Sequence, residues 1–381
     1  MTENTERVHT VIVGAGQAGL ATAYFLKLAG VEAVLLDEHP RVGDQWRARW
    51  DSLLLNTPRY RSTLPGMPFA GEGYFASAGQ LADYLEAYAA RFGLRVRPRT
   101  HVRGIDLQPD GSWLVTCDEG AFTTANVVLA TGGEHHPKVP GFADRLDPGI
   151  RQLHSSAYRN PSQLLPGAVL VVGAGQSGAD LALESARAGH ETWLSGRVRG
   201  EIPFDIDSRR SRFSFPVLWF LANHVLTERT AVGRRAKVQL RAGGTPLVRV
   251  RRVDLDAAGV DRTEARTADV RDGLPVLADG TVLDVANVLW CTGFRQDFSM
   301  IHPPVTDETG WPTDHGGVMA NLPGLYFIGL LFQRGYYSSL IGGVGRDAKD
   351  VAAHIAGRAT PVQLAGTDRA WEASGENTTI P

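Results

Sequence analysis

The sequence predicts an α/β fold built from two copies of one βαβ unit, the first copy belonging to a domain that the second interrupts. Three observations carry this prediction. Residues 11–38, VIVGAGQAGLATAYFLKLAGVEAVLLDE, align without a gap with residues 170–197, LVVGAGQSGADLALESARAGHETWLSGR, at an offset of 159. A shorter repeat follows each copy: Ala125-Asn126-Val127 leading to Thr131-Gly132, and Ala286-Asn287-Val288 leading to Thr292-Gly293. Finally, 43 glycines sit in a chain of otherwise ordinary composition, which fits many tight βα turns better than disorder.

Each long repeat begins with an apolar strand, passes through GxGxxG and enters a helix rich in Ala and Leu. It then leaves through Ala-Gly into a second strand. A lone GxGxxG is a weak signal, but here each copy has both strands and the helix. Gly14 and Gly173 permit the tight turn. Gly16 and Gly175 let the backbone approach a pyrophosphate, and Gly19 and Gly178 allow close helix–strand packing. Ser177 lies inside the second turn. The phosphates are then expected at the positive helix N-terminus. The fold class is therefore α/β with two nested Rossmann-like dinucleotide-binding domains.

The copies differ where a ribose is read. The first ends in Asp37-Glu38, whose carboxylate accepts hydrogen bonds from ribose hydroxyls and repels a 2′-phosphate. The aligned residues of the second are Gly196-Arg197, with Ser195 before them and Arg199 after. Loss of the carboxylate and gain of cations suit a 2′-phosphate. The first site is expected to hold FAD and the second NADPH. The shorter repeat gives each domain an apolar strand ending in Thr-Gly, which returns the chain to the dinucleotide edge and makes Thr131 and Gly132 candidate cofactor contacts.

These repeats place residues 1–158 and 285–381 in the FAD domain and 159–284 in the NADPH domain. A third apolar strand is expected at Leu325–Ile328, ending at Gly329, and a last helix at Gly345–Gly357, with a loosely held polar tail from Thr360. The segment Pro203–Thr227 contains FPVLWFLANHVL after a charged stretch, Asp205–Arg212. A packed helix is the default reading, and an entrance lining, a dimer interface and a membrane surface are open to it. At about 12 residues the apolar run is too short to span a bilayer.

The formal net charge of −2 argues against a nucleic-acid partner. Cys117 and Cys291 are far apart and form no CxxC pair, so neither a disulfide framework nor a four-cysteine zinc site is expected. No apolar run of 18 residues predicts a membrane span. A charged stub, Met1 to Arg7, runs directly into the strand Val8–Val13, so no signal peptide is read and the cytoplasm is the expected compartment. His135-His136 has no carboxylate or cysteine cluster beside it and is read as a loop before Pro137, not as a metal site.

Together with GDQW at 43–46, LNTPR at 55–59, LATGGEHHPKVPGF at 129–142, HSSAY at 154–158 and WCTGF at 290–294, the two fingerprints make residues 1–357 resemble the flavin-containing monooxygenases. That single-component class includes the Baeyer–Villiger and N-hydroxylating enzymes. The family pattern FxGxxxHxxxY is kept at His154 and Tyr158, while Pro148 and Ile150 stand at its Phe and Gly positions. The resemblance implies that NADPH reduces the flavin and that O2 then forms a C4a-hydroperoxide shielded by NADP+. One oxygen passes to a small nitrogen, sulfur or carbonyl substrate. It further implies that Asn56 lies near the flavin as the protein's catalytic partner and that Gln45 and Trp46 pack along FAD. His154 would assist movement between the domains, and Tyr336 to Ser339 would face the flavin ring. Cys291, where relatives often have Ala, reads as small packing. A homodimer is compatible with the sequence. The alternative reading is a flavoprotein reductase or oxidase passing electrons from NAD(P)H to a quinone, a disulfide or a protein. The thiol version lacks a cysteine pair. A non-enzymatic flavin-binding or redox-sensing protein is a further rival.

Overall fold

The computed structural model describes residues 5–206, 208 and 211–358. The loose tail expected from Thr360 and part of the charged Asp205–Arg212 stretch lie outside them. Two sheets organise the chain. The first runs in the order Ile301–His302, Val102–Leu107, Trp113–Cys117, Gly120–Leu129, Thr5–Val13, Ala33–Leu36, Val96–Arg97, and Leu325–Phe327 also pairs with Gly120–Leu129. The strands beside the first fingerprint are parallel, as βαβ connections require, and those around Trp113–Cys117 are antiparallel. The second sheet is parallel throughout, in the order Asp261–Thr263, Thr192–Ser195, Val169–Val172, Asn287–Trp290, Arg151–His154.

The two βαβ units form where the repeat places them. Thr5–Val13, the helix Gln17–Leu28 and Ala33–Leu36 make the first; Val169–Val172, the helix Gln176–Arg187 and Thr192–Ser195 make the second. Each fingerprint strand is almost wholly buried near its glycine turn, in keeping with parallel strands covered on both faces.

The domain limits need correction. Arg151–His154 and Asn287–Trp290 pair in the second sheet, although the expected boundaries at 158 and 285 gave both to the first domain. The shorter repeat explains this. Gly120–Leu129 pairs in parallel with its own fingerprint strand, and Asn287–Trp290 does the same with the second. Asn287 also ties its strand to the entry of that domain, accepting from Leu165 N–H at 2.8 Å and donating to Leu165 O at 2.9 Å.

The apolar segment is a helix, Ser211–His224, followed by a second, Ala231–Arg241. Both lie within the second unit in sequence, yet they grip the first. Glu228 N–H donates to Arg334 O and Tyr336 N–H to Leu226 O, each at 2.9 Å. The guanidinium of Arg61 lies 5.8 Å from the Trp219 ring, and that of Arg241 lies 4.0 Å from the Trp311 ring.

The last helix, Val344–Arg358, packs on Gln17–Leu28. Its first turn carries Asp347, buried with Ser338, Tyr337 and Arg334 around it and Asp350 nearby. Burial pushes its carboxyl up to about 6, against the pull of the Ser338 hydroxyl and the Arg334 cation. Unfolded, it titrates near 4. The folded state therefore binds the extra proton between these values. The stabilisation is complete below about pH 4 and lost as pH rises through about 6. Asp347→Asn is expected to flatten this part of the stability profile by on the order of 2 kcal/mol. Unfolding by urea across that range checks it, and an unchanged slope would assign the proton elsewhere.

Candidate dinucleotide and reaction site

At the first turn, Gly14 has φ +103°, and a Cβ there would lie 2.6 Å from Ala130 O. A Cβ on Gly19 would lie 2.0 Å from Gly14 O. The turn is therefore pressed between the helix and the end of Gly120–Leu129, which delivers Thr131 and Gly132 directly beside it. The second turn repeats this contact: Gly173 has φ +108° with Cys291 O at 2.3 Å, and Gly178 has Gly173 O at 1.8 Å. Gly16 and Gly175 are different. A Cβ on Gly16 would meet only the Gln45 side-chain nitrogen, at 2.8 Å, and one on Gly175 would meet nothing. No protein atom crowds the face of Gly175, which leaves open space over that turn.

Both helices begin without a side-chain cap and without an acidic residue in the first turn. The helix Ala78–Arg91, by contrast, has a full Ser77/Gln80 capping box. Two uncapped N-termini above two glycine turns could each receive an anion at their free N–H groups. Ser177 is half-buried in the first turn of the second helix.

Asp37 is buried, with Oδ2 accepting from Ala15 N–H at 2.7 Å and Oδ1 from His39 N–H at 2.9 Å. Oδ1 also meets His39 Nδ1 at 3.0 Å, so it is Oδ2 that keeps a lone pair for a ligand hydroxyl. Gly196 replaces it in the second unit, and a Cβ there would lie 3.2 Å from Ala174 N. A cavity of about 60 Å³ opens beside it, lined by Ala174, Arg252, Arg262, Thr263 and Glu264 among others. Arg262 is braced bidentately on Asp256, at 2.8 and 3.0 Å. Arg197 is largely exposed and lies 3.8 Å from Glu264. Ser195 is not available to a ligand in this way. Its hydroxyl donates to Ala265 O at 2.9 Å and accepts from Thr267 N–H at 3.0 Å. Sequence reasoning missed Arg252 and Arg262, because only the pairing of Asp261–Thr263 with Thr192–Ser195 brings that region to the cavity.

Asn56 is held by its neighbours. Leu55 N–H donates to Ala76 O and Arg59 N–H to Tyr74 O, each at 2.8 Å. Arg59 is buried, bonded to Gly73 O, Glu72 O and Gln80, and stacked 4.9 Å from the Phe69 ring. On this rigid loop the buried Oδ1 of Asn56 has no hydrogen-bond partner. The Trp46 indole nitrogen and Gln296 Oε1 are likewise buried and unpaired. Unmet polar atoms are costly in a native interior and mark where a ligand would complete them. Gln296 was not anticipated; its amide nitrogen lies 2.9 Å from where a Gly133 Cβ would be.

The chain crosses between domains through two short strands, His136–Pro137 and Phe294–Arg295, paired antiparallel. His154 pins this crossing. Its Nδ1 accepts from Ser156 N–H at 3.2 Å, so Nε2 carries the proton and donates to Gly293 O at 3.0 Å. Burial lowers its pKa. His135 belongs to the crossing too, its Nδ1 accepting from Asp297 N–H at 2.8 Å. Cys117 and Cys291 are both free thiols. Burial pushes Cys117 up to about 11 and Cys291 higher still, so neither is a ready thiolate. Tyr337 is buried beside Asp347, and burial also raises Tyr336.

Residues 11–206 match the family described as pyridine nucleotide-disulphide oxidoreductase. An uncharacterized oxidoreductase, CzcO-like, of Geobacillus kaustophilus is 38% identical over 90% of this chain and 96% of its own length. A probable indole-3-pyruvate monooxygenase of Arabidopsis thaliana, YUCCA4, is 28% identical over 91% of this chain and 89% of its own. A double mutant of a flavin monooxygenase from Stenotrophomonas maltophilia superposes with a TM-score of 0.74 at 25% identity, covering 93% of this chain and 100% of that one. The chain belongs to the pyridine nucleotide-disulphide oxidoreductase family and is an oxidoreductase, and its fold is similar to that of flavin monooxygenases.

The two kinds of glycine predict different failures. Gly178→Ala forces a Cβ onto a backbone carbonyl and should cost about 1–3 kcal/mol, seen as a lower unfolding temperature. Gly175→Ala should leave that temperature unchanged and weaken binding of a dinucleotide at the second site at least about tenfold. Calorimetry and equilibrium titration separate the two, and matching behaviour of the variants would reject the division.

Proposed function

We propose that this chain is an FAD-dependent monooxygenase that uses NADPH and O2 to oxygenate a small nitrogen-, sulfur- or carbonyl-containing molecule. The observation that carries this reading is the pair of uncapped glycine turns, on a chain whose two thiols are both free and neither poised as a thiolate, with an unpartnered buried oxygen on Asn56. FAD, when bound, takes electrons from NADPH and delivers them to O2.

The protein's own work is binding, orientation and exclusion of water. The first cradle would receive the FAD pyrophosphate, with Gln45 over Gly16 and Asp37 Oδ2 able to take a ribose hydroxyl beside its bond from Ala15 N–H. The second would receive the NADPH pyrophosphate at Gly175 and Ser177. Replacement of Asp37 by Gly196 removes the carboxylate that would repel a 2′-phosphate, and Arg252, Arg262 and Arg197 supply positive charge there. Asn56 offers one acceptor and two N–H donors from a rigid loop, which suits orienting a polar group near the reacting centre. His154, neutral and hydrogen-bonded at both ring nitrogens, is a positioning residue at the domain crossing and not a general base. Among the described residues no helix is long and apolar enough to cross a membrane. We place the enzyme's chemistry in a reducing, cytoplasmic setting.

The decisive experiment reduces the FAD-loaded protein anaerobically with NADPH, admits O2, and follows O2 uptake and H2O2 release with a panel of amines, sulfides and ketones. Uptake without matching H2O2, together with an oxygenated product, is expected for at least one class. Complete recovery of the electrons as H2O2 with every class, or faster transfer to a quinone, would favour an oxidase or reductase.

Asn56→Ala is expected to keep reduction by NADPH within a few-fold while moving most consumed O2 into H2O2. Loss of reduction alone would place Asn56 on the nicotinamide side only. Arg252→Ala with Arg197→Ala should raise the KM for NADPH by about tenfold or more, the size of losing a charged hydrogen bond, and change that for NADH little. Equal losses would remove the 2′-phosphate assignment.

A further inference from the structure

Residues 209–241 carry eight arginines and lysines against one acid, Glu228, in a chain whose whole formal charge is −2. The helix Ser211–His224 contains no acidic residue at all. Its outward side exposes Phe213, Val217, Phe220 and Leu221, with Phe213 83% exposed. Positions 213, 217, 220 and 221 follow the i, i+4, i+7, i+8 spacing of one helical stripe. On the next helix, Ala231, Arg234, Arg235 and Val238 line one shallow open concavity, so basic and apolar groups alternate there too. Arg229, Arg234 and Arg235 are exposed.

We infer that this helical pair docks in the interface of an anionic lipid bilayer, with the Phe213–Leu221 stripe entering the headgroup–acyl boundary and the arginines meeting lipid phosphates. Charge complementarity selects this occupant. A second copy of the chain would bring two strongly basic segments together across a two-fold axis, where like charges repel. The phenylalanines of the stripe stand well exposed, and a bilayer takes such side chains without needing a shaped pocket. A basic helix with an apolar face is the usual form of a segment lying in the membrane plane. At 14 residues the helix spans about 21 Å, short of the roughly 30 Å hydrocarbon core, so it lies on the membrane and does not cross it.

The opposite side of the same helix joins this surface to the candidate site. Trp219 carries Arg61, which follows the Asn56 loop, and Asn223 O lies 3.5 Å from Arg346 on the last helix. Docking would therefore turn the substrate-side loops toward the bilayer, favouring substrates that partition into lipid.

The test is cosedimentation of the full FAD-loaded chain with vesicles of equimolar phosphatidylcholine and phosphatidylglycerol, and with pure phosphatidylcholine. Binding is expected to the anionic vesicles, to weaken steeply with salt, and to be slight on the neutral ones. Arg234→Ala with Arg235→Ala should lower partitioning about 30-fold, at about 1 kcal/mol per basic residue near an anionic surface. Phe213→Ser with Phe220→Ser should lower it at least about tenfold. Hydrogen exchange on the unmodified protein gives an independent reading, with amides of 211–241 slowed by anionic vesicles. No binding to those vesicles, binding indifferent to the phenylalanine pair, concentration-dependent dimerisation lost in the same variants, or saturation of the face by an acidic protein in preference to lipid would each overturn the inference.

Discussion

A single backbone contact, made twice, sets the geometry on which everything else rests. The α-carbon of the first fingerprint glycine lies so near the carbonyl ending a neighbouring strand that no side chain fits between them: Ala130 O against Gly14, Cys291 O against Gly173. The next constraint follows at once, because Gly19 and Gly178 lie over the carbonyls of those same glycines. Strand, turn and helix are thereby locked with no slack, and the free N–H groups of the helix converge on one point. Small residues at 130 and 291 belong to this contact, and this is the physical content of reading Cys291 as packing.

Two cradles serve one reaction only if their separation is fixed. Two of the ties between the domains bear on this. One is the paired crossing of His136–Pro137 with Phe294–Arg295, held by neutral His154. The other is the helical pair 211–241, which reaches from the second unit to bond the 331–336 segment of the first. With both ties made, a large rotation of one domain on the other would break hydrogen bonds on both sides of the crevice.

Periodicity and repetition made much of this legible before any coordinates. The fingerprints, the third apolar strand and the last helix all have local signals, and each forms close to its expected place; the helix runs Val344–Arg358 against an expected Gly345–Gly357. Domain membership was harder. The strands Arg151–His154 and Asn287–Trp290 were assigned by nearness in sequence to the first domain, while pairing is decided by which sheet edge is open to them. The repeated Ala-Asn-Val already contained the answer, since a duplicated unit needs its own copy of that strand. Arg252, Arg262 and Gln296 had no local signal, being brought in by long-range register alone. Ser195 shows the reverse error: a polar residue beside a fingerprint edge looked available, and its hydroxyl is committed to the chain at Ala265 and Thr267.

The family's description names disulphides, and the fate of the electrons is where this chain argues for a different acceptor. Transfer to a disulphide by way of the protein requires a thiolate that a substrate can reach. Cys117 is buried in the antiparallel part of the first sheet, and Cys291 is pressed beneath the second glycine turn, where its Cβ would lie 3.5 Å from one on Gly178. Burial raises both pKa values, which removes the thiolate at neutral pH. What the chain offers instead are polar atoms short of a partner, among them the amide oxygens of Asn56 and Gln296 and the indole N–H of Trp46. Such a set is poor at exchanging sulfur and suited to orienting a small polar molecule away from water. On the proposed assignment the same economy would separate the two nucleotides: one scaffold, used twice, would change its ligand through the exchange of Asp37 for Gly196, with Arg197, Arg252 and Arg262 set against the carboxylate of Glu264 at the second edge.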